Sequence, residues 1–238
     1  MESIKTLKLT KKYKDTIAVD RLDLTVKRGE LFALLGINGA GKTTTIKMLC
    51  GLTRPTDGDA LILGKSVLSE MVEIKRLIGV SPQETAVALG LTVKENLELI
   101  CGINKMPLEK ATELCNTFGL NGVFGKKAGK LSGGFQRRLS IAMSLINEPE
   151  ILFLDEPTLG LDVIARSELW DTIRSLKGKV TVILTTHYME EAEALSDRIG
   201  IMKSGRLLTI GTADELKQKA EAEKFEDAFV KIVKGDIS

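Results

Sequence analysis

Cysteine is scarce in this sequence, and its scarcity excludes two classes of protein. The 238 residues include only three cysteines, Cys50, Cys101 and Cys115. They are odd in number and widely spaced among apolar neighbours, a pattern that suits neither a disulfide framework nor a zinc site. We therefore expect a chain that folds without disulfide bonds in a reducing compartment.

Long apolar runs and a strong charge of either sign are also missing. No stretch approaches the roughly 20 apolar residues that a membrane-spanning helix requires, and residues 1–15 do not resemble a secretory signal. Lys and Arg number 34 against 32 Asp and Glu, and the net charge of +2 is too small to indicate a nucleic-acid binder. We expect no nucleic-acid partner, and work at a membrane would require another chain to span it.

What the sequence does contain is a set of short apolar segments between helical patterns. Alternating apolar residues at 4–9 and 22–26 predict an antiparallel edge sheet. Nearly continuous apolar runs, typical of strands buried on both faces, occupy Glu30–Leu35, Ile151–Leu154, Val180–Leu184 and Ile199–Met202. Helical periodicity between these runs, at Val163–Leu176 and Tyr188–Leu195, predicts an α/β core with crossover connections.

The segment 84–147 interrupts that alternation. It contains three predicted helices and no convincing strand; the helices are Val93–Cys101, Leu108–Phe118 and Ser132–Ile146. We predict one domain, in which 1–83 and 148–215 form the α/β core, 84–147 a helical insertion and 216–238 a helical tail. The apolar face of that tail, Phe225, Phe229, Ile232 and Val233, suits packing on the core, on a partner or on a second copy.

A glycine-rich turn follows the first buried strand. The run 36–44 fits the phosphate-binding loop Gly-x-x-x-x-Gly-Lys-Ser/Thr between a strand and a helix. Such a loop turns backbone N–H groups towards the phosphates, Lys42 bridges them, and Thr43 places its hydroxyl on Mg²⁺. The candidate nucleotide-binding residues here are Gly36, Asn38, Gly39, Ala40, Gly41, Lys42, Thr43 and Thr44.

Two acidic residues end a later strand. Asp155 and Glu156 follow the apolar run Ile151–Leu154, at the strand end where open α/β sheets bind ligands. Asp155 is a candidate Mg²⁺ ligand, mostly through water, and Glu156 a candidate base for the attacking water. An Asp-Glu-Pro run alone would suit an ordinary turn, and the phosphate loop favours the functional interpretation.

A second glycine pair lies far downstream. In Leu131-Ser132-Gly133-Gly134 the serine occupies a helix N-cap position, and the two glycines allow close backbone approach. A surface helix cap would explain a bare Ser-Gly-Gly. One nucleotide, however, needs only one phosphate loop, so a second such run suggests an active site that a second copy completes.

The order of these motifs carries a family resemblance. The phosphate loop, Gln83, the run Ser132-Gly133-Gly134, the pair Asp155-Glu156 and His187 resemble the nucleotide-binding subunits of ATP-binding cassette (ABC) transporters. The likeness covers about residues 3–215. It implies a P-loop NTPase fold of the ABC cassette type, an α/β class fold with a RecA-like core, an antiparallel β subdomain and an inserted helical subdomain. The segment 91–97 is similar to ABC-2-type exporter subunits for drugs, sodium or polysaccharides.

The resemblance also implies roles for single residues. Tyr13 matches the aromatic residue that stacks on adenine, and Gln83 the glutamine that contacts Mg²⁺ and the attacking water. Ser132, Gly133 and Gly134 match the signature motif, which in this family contacts the γ-phosphate of ATP on the opposite subunit. Asp162 matches an acidic position in the loop that crosses the dimer interface, and His187 the switch histidine at the γ-phosphate.

The activity implied is ATP hydrolysis that powers transport. Two subunits loaded with ATP and Mg²⁺, a homodimer by expectation, would close head to tail, and hydrolysis would reopen them. The partner would be a transmembrane permease, which places the chain at the cytoplasmic face of the membrane. The sequence departs from the usual signature at Phe135, where the family has glutamine, so contacts of that position are open.

Two other functions are compatible with a phosphate loop. A soluble ABC ATPase acting on ribosomes or DNA usually carries two fused cassettes or long coiled-coil insertions, and neither occurs in these 238 residues. A P-loop kinase for a small substrate would leave Ser132–Gly134 and Asp162 without a role. We therefore expect a transport ATPase, with export favoured over import.

Overall fold

The computed structural model describes residues 1–235 and contains two β-sheets. The strands are β1 (Glu2–Tyr13), β2 (Thr16–Leu22), β3 (Thr25–Lys27), β4 (Leu31–Leu35), β5 (Asp57–Ile62), β6 (Lys65–Ser66), β7 (Ile78–Ser81), β8 (Ile151–Asp155), β9 (Thr181–Thr186), β10 (Arg198–Lys203) and β11 (Arg206–Gly211). The helices are α1 (Lys42–Leu49), α2 (Met71–Leu77), α3 (Val93–Asn104), α4 (Glu109–Thr117), α5 (Gly133–Ser144), α6 (Val163–Arg174), α7 (Met189–Leu195), α8 (Ala213–Lys219) and α9 (Phe225–Lys234).

The larger sheet is the α/β core that the apolar runs predict. Its strand order is β11-β10-β4-β9-β8-β7, with parallel pairing from β10 to β7 and an antiparallel edge strand β11. All five residues of β4 and all five of β8 are buried. Alternate side chains enter two hydrophobic clusters, so that Phe32 faces one and Ala33 the other. The prediction of strands buried on both faces is confirmed, because each face packs against its own layer.

The smaller sheet is antiparallel, with the order β2-β1-β5-β6 and β3 paired to β1. This confirms the predicted edge sheet, with one correction. Leu7 is 43% exposed, whereas Ile4 and Leu9 are fully buried. Ile4 and Leu7 are three residues apart, so their side chains point to opposite faces. Leu9 returns to the buried face because the strand is irregular between them, with a left-handed backbone at Lys8 and a register shift between Leu7 and Thr10 in the pairing with β5.

Between β7 and β8 the structure has three helices, α3 to α5, and two 3₁₀ turns, Asn121–Val123 and Ala128–Lys130. The helices confirm the three predicted for this segment. Its only strand-like pairing among the described residues is an isolated bridge between Thr92 and Lys127. A capping box between Thr92 and Glu95 fixes the start of α3.

β7 brings this helical segment against the core. A Cβ on Gly79 would lie 2.2 Å from the carbonyl oxygen of Ser144 in α5, so only glycine permits this approach. The contact places the loop after β7, which holds Gln83, beside the helix that follows Ser132. Two parts of the candidate site are thereby positioned by one close packing contact.

The C-terminal helix α9 packs on the chain's own core. Phe225, Ala228, Phe229 and Ile232 are buried in the same cluster as β4 and α7, and Val233 packs against it. Packing on the core, one of the three roles left open for the tail, is present in the structure. Residues 236–238 of the predicted tail lie outside the described residues.

Candidate functional site

The candidate site is a cleft of about 750 Å³ at the carboxyl ends of β4, β8 and β9. Its lining brings together, from separate parts of the chain, most of the predicted phosphate-loop residues with Gln83, Glu156 and His187. This is the edge at which open parallel sheets bind ligands. The lining residues are Thr16, Ile17, Ala18, Asn38, Gly39, Ala40, Gly41, Lys42, Thr43, Thr44, Gln83, Glu156, Leu159, His187 and Ser204.

The phosphate loop has the backbone shape that an anion requires. Gly39 and Gly41 have φ values of 81° and 103°, which lie in the left-handed region that favours glycine. A Cβ on Gly41 would also lie 2.5 Å from the carbonyl oxygen of Ala18. The loop therefore leads directly into α1. The N-terminal amides of α1 place a partial positive charge at the cleft.

Lys42 is buried within this loop. Its Nζ donates to the carbonyl oxygen of Gly36 at 2.7 Å and lies 3.5 Å from Oε1 of Glu156. Burial lowers the pKa of Lys42, and the negative charges of Glu156 and Asp155 oppose that shift. A desolvated ammonium held beside a carboxylate is a strong partner for phosphate oxygens, because the low local dielectric strengthens the attraction.

Asp155 and Glu156 are held by Thr185 at the end of β9. The hydroxyl of Thr185 donates to Oδ1 of Asp155 and accepts from the backbone N–H of Glu156. Asp155 also accepts a hydrogen bond of 3.0 Å from the hydroxyl of Thr43. The two groups predicted to share Mg²⁺ are therefore in contact, one from the phosphate loop and one from β8.

Glu156 has a strained backbone. Its φ of 46° is left-handed, which costs a residue with a Cβ about 1 to 2 kcal/mol. Its Oε2 lies 3.1 Å from Nδ1 of His187. Left-handed residues also occur in ordinary turns of this chain, such as Lys14 and Ser204. At Glu156 the conformation holds a carboxylate between a lysine and a histidine, which is typical of a functional position.

Other predicted site residues lie outside the cleft lining. Tyr13 ends β1, is 46% exposed and has Nζ of Lys11 4.9 Å from its ring centroid. Gly36 directly follows β4 at the start of the loop, and a Cβ there would clash with the carbonyl oxygen of Met202 at 2.5 Å. The role of Tyr13 at adenine stays a prediction.

The second glycine pair also lies outside that lining. Ser132 is exposed at the N-cap of α5, as predicted, but its side chain makes no capping hydrogen bond. A Cβ on Gly134 would lie 3.0 Å from Cβ of Ala165 in α6, whose N-cap, Asp162, accepts from the N–H of Ala165 at 2.9 Å. The run Ser132–Gly134 and the loop that contains Asp162 therefore lie together. The Ser132 hydroxyl is open to a ligand that approaches from solvent.

Arg137 and Glu191 are polar residues of this region that sequence reasoning did not identify. Arg137 of α5 is buried and donates to the carbonyl oxygens of Pro82, Gln83 and Glu156. Glu191 of α7 is buried and accepts from Nε1 of Trp170 at 3.1 Å, and burial raises its pKa. The available signal was helical spacing, which puts both on buried helix faces.

Comparison with known proteins agrees with this architecture. A family model described as "ABC transporter" matches residues 19–159. The chain is 42% identical over 97% of its length to the probable multidrug ABC transporter ATP-binding protein YbhF of Escherichia coli, of which it spans only 41%. It is 43% identical over 91% of its length to the daunorubicin resistance ATP-binding protein DrrA3 of Streptomyces coeruleorubidus, of which it spans 70%.

Solved structures show the same fold. The ATP-binding cassette MJ0796, in a dimeric post-hydrolysis state bound to ADP and Pi, has a TM-score of 0.79 and 28% identity over 88% of this chain and 98% of that one. The predicted ABC cassette fold is confirmed. None of the helices within residues 1–235 combines the length and apolar character needed to cross a bilayer. The matched family model and the relatives show that this chain belongs to the ABC transporter family.

Proposed function

We propose that the chain is the ATP-binding and ATP-hydrolysing subunit of an exporter. The observation that carries this proposal is the cleft in which Glu156 lies within contact distance of both Lys42 and His187. Lys42 would hold the phosphates, Glu156 would orient the attacking water, and His187 would contact the γ-phosphate. The names of the relatives, which refer to multidrug transport and to daunorubicin resistance, favour export.

The position of Ser132 supports a shared active site. Its hydroxyl is exposed and uses no capping bond, while the cleft of the same chain is lined without it. Two copies related by a twofold axis would therefore place Ser132–Gly134 of each on the ATP of the other. Gln83, Tyr13 and Asp162 take the roles that the family resemblance implies. The dimeric state of the cassette MJ0796 favours such a pairing.

Mg²⁺ is the metal that the residues fit. Thr43 and Asp155 offer hydroxyl and carboxylate oxygens 3.0 Å apart, the hard donors that Mg²⁺ prefers. No cluster of three or more His, Cys, Asp or Glu suited to a metal occurs in residues 1–235, so phosphate oxygens and water would complete the shell. Bound there, Mg²⁺ would neutralise charge on the phosphates, while the chain's own residues position the water.

The remaining assignments concern organisation and partners. The core 1–83 and 148–215, the helical insertion 84–147 and the tail 216–238 would act as parts of one domain. The insertion would transmit ATP-driven closure to a transmembrane permease, and the chain would then lie at the cytoplasmic face of the membrane. A ribosome- or DNA-directed ATPase is less favoured, because the relatives cited are named for transport or drug resistance.

The metal site provides a direct test. The purified chain should hydrolyse ATP in the presence of Mg²⁺ and lose that activity in excess chelator. Thr43→Ser keeps the hydroxyl and should retain activity, whereas Thr43→Val is nearly the same size and should lose at least about 10-fold, since a metal-directed oxygen is gone. ATP hydrolysis by the wild type that is unaffected by chelator and by Thr43→Val would contradict this assignment.

A further inference from the structure

Arg137 connects three segments that belong to different parts of the site. One terminal nitrogen donates to the carbonyl oxygen of Pro82 at 2.6 Å. The other donates to the carbonyl oxygens of Gln83 at 2.5 Å and Glu156 at 3.4 Å. The guanidinium thus joins α5, the loop after β7 and the loop after β8.

Burial of this guanidinium lowers the stability of the fold, so a function is the reason to expect an arginine at this position. Arg137 is 4% exposed, and within residues 1–235 its side-chain hydrogen bonds go to backbone carbonyls alone. Burial lowers its pKa, opposed by the charges of Asp155 and Glu191. A buried cation without a directly paired carboxylate is destabilising relative to an apolar residue of similar size. Packing alone would therefore favour methionine or leucine here.

The carbonyls that Arg137 binds are not arbitrary. Gln83 lines the cleft, and Glu156 carries the carboxylate proposed as the base. Glu156 also has the left-handed backbone, so a donor on its carbonyl oxygen helps to hold a strained conformation. The N-cap of the same helix is Ser132, five residues before Arg137. α5 therefore connects Ser132, through Arg137, to both loops.

We infer that Arg137 is a positioning residue for hydrolysis, because it connects α5, the helix that follows Ser132, to Gln83 and Glu156 of the same chain. This inference rests on the proposed ATPase function. When a second copy's ATP engages Ser132, Arg137 fixes the two loops in the geometry that the water requires. Arginine suits this task because its planar fork reaches several carbonyls at once, which the single ammonium of lysine does not.

The test compares Arg137→Lys and Arg137→Met with the wild-type chain. Arg138→Met is the matched control, because the neighbouring arginine on α5 forms an ion pair with the exposed Glu168 instead. Four quantities are measured for each protein: kcat and KM for ATP, ATP Kd by calorimetry, and thermal unfolding. We expect both Arg137 variants to lose about 10- to 100-fold in kcat, since displacing reacting groups by about 1 Å has that effect, with Kd within about twofold of wild type.

The outcomes separate this inference from the proposed function. A wild type that binds ATP without hydrolysing it would overturn the proposed function. If the wild type is active, an unchanged kcat in Arg137→Lys would overturn the positioning role. A variant in which kcat and the ATP-binding stoichiometry fall together would overturn it as well. If Arg137→Met does not fold, Arg137→Lys carries the test, because it keeps the charge and most of the side chain. A comparable loss of kcat in Arg138→Met would also count against it.

Discussion

Lys42→Ala is expected to reduce ATP turnover by at least about 100-fold, the effect of removing a preorganised charge from the transition state of a buried site. Nζ of Lys42 is held 2.7 Å from the carbonyl oxygen of Gly36 and 3.5 Å from Glu156, inside the loop that would surround the phosphates. Alanine leaves the loop glycines in place but removes the ammonium. ATP affinity should fall as well, because the charge acts on both bound and reacting phosphates.

The matched control is Lys47→Ala, the same substitution on the same helix. Lys47 lies in the last turn of α1 and is exposed, so it does not reach the cleft. Steady-state ATPase assays and ATP-binding isotherms on the three proteins measure the effect. Turnover of Lys42→Ala equal to that of Lys47→Ala would contradict the assignment of the loop as the phosphate site.

Glu156→Gln should separate binding from hydrolysis. Loss of a positioned general base lowers turnover by about 10² to 10⁴-fold, while glutamine keeps the size and the hydrogen-bonding capacity of the side chain. The substitution also removes a negative charge facing the phosphates. ATP should therefore bind and persist, and two loaded copies should remain closed as a dimer in size-exclusion chromatography.

Glu150→Gln provides the comparison for that experiment. Glu150 directly precedes β8, the strand that Asp155 ends, and pairs with Arg28 at the surface. It should behave as wild type in turnover and elution. A Glu156→Gln protein that binds ATP and elutes only as a monomer would argue against a site shared between two copies.

The sequence predicted those strands whose burial is complete on both faces. β4, β8, β9 and β10 are nearly uninterrupted apolar runs, and such a pattern has few other interpretations. β7 was not predicted, because it has four residues and includes Gly79. Its glycine serves the approach of α5, a contact between positions far apart in the chain that local propensity cannot reveal.

The candidate site was likewise predicted only in part. The phosphate loop and the two acidic residues are local motifs, and the fold brings most of the loop, Glu156 and His187 to one cleft. Asp155 accepts a hydrogen bond from Thr43 of that loop. Arg137 was missed because its partners Gln83 and Glu156 are 54 and 19 positions away. Helical spacing puts position 137 on the buried face of α5, but only tertiary packing shows which carbonyl oxygens an arginine there binds. Thr185 was missed for a related reason, since its hydroxyl acts on the neighbouring strand.

The central claim is that each active site is built from the phosphate loop of one copy and Ser132–Gly134 of another. Lys42→Ala disables the first component and Ser132→Arg the second, and Ser132 is exposed without side-chain capping bonds, so arginine should leave the fold intact. Each variant alone should be inactive. Mixed dimers would contain one intact site, with the loop from the Ser132→Arg chain and the signature run from the Lys42→Ala chain.

The decisive measurement is therefore ATP turnover of mixtures of the two variants at constant total protein, across the full range of mole fractions. Random pairing predicts no activity at either end and a maximum at equal amounts, about one quarter of the wild-type rate. Turnover that stays at the level of the separate variants at every ratio, at a concentration where the wild type is active, would contradict a shared site.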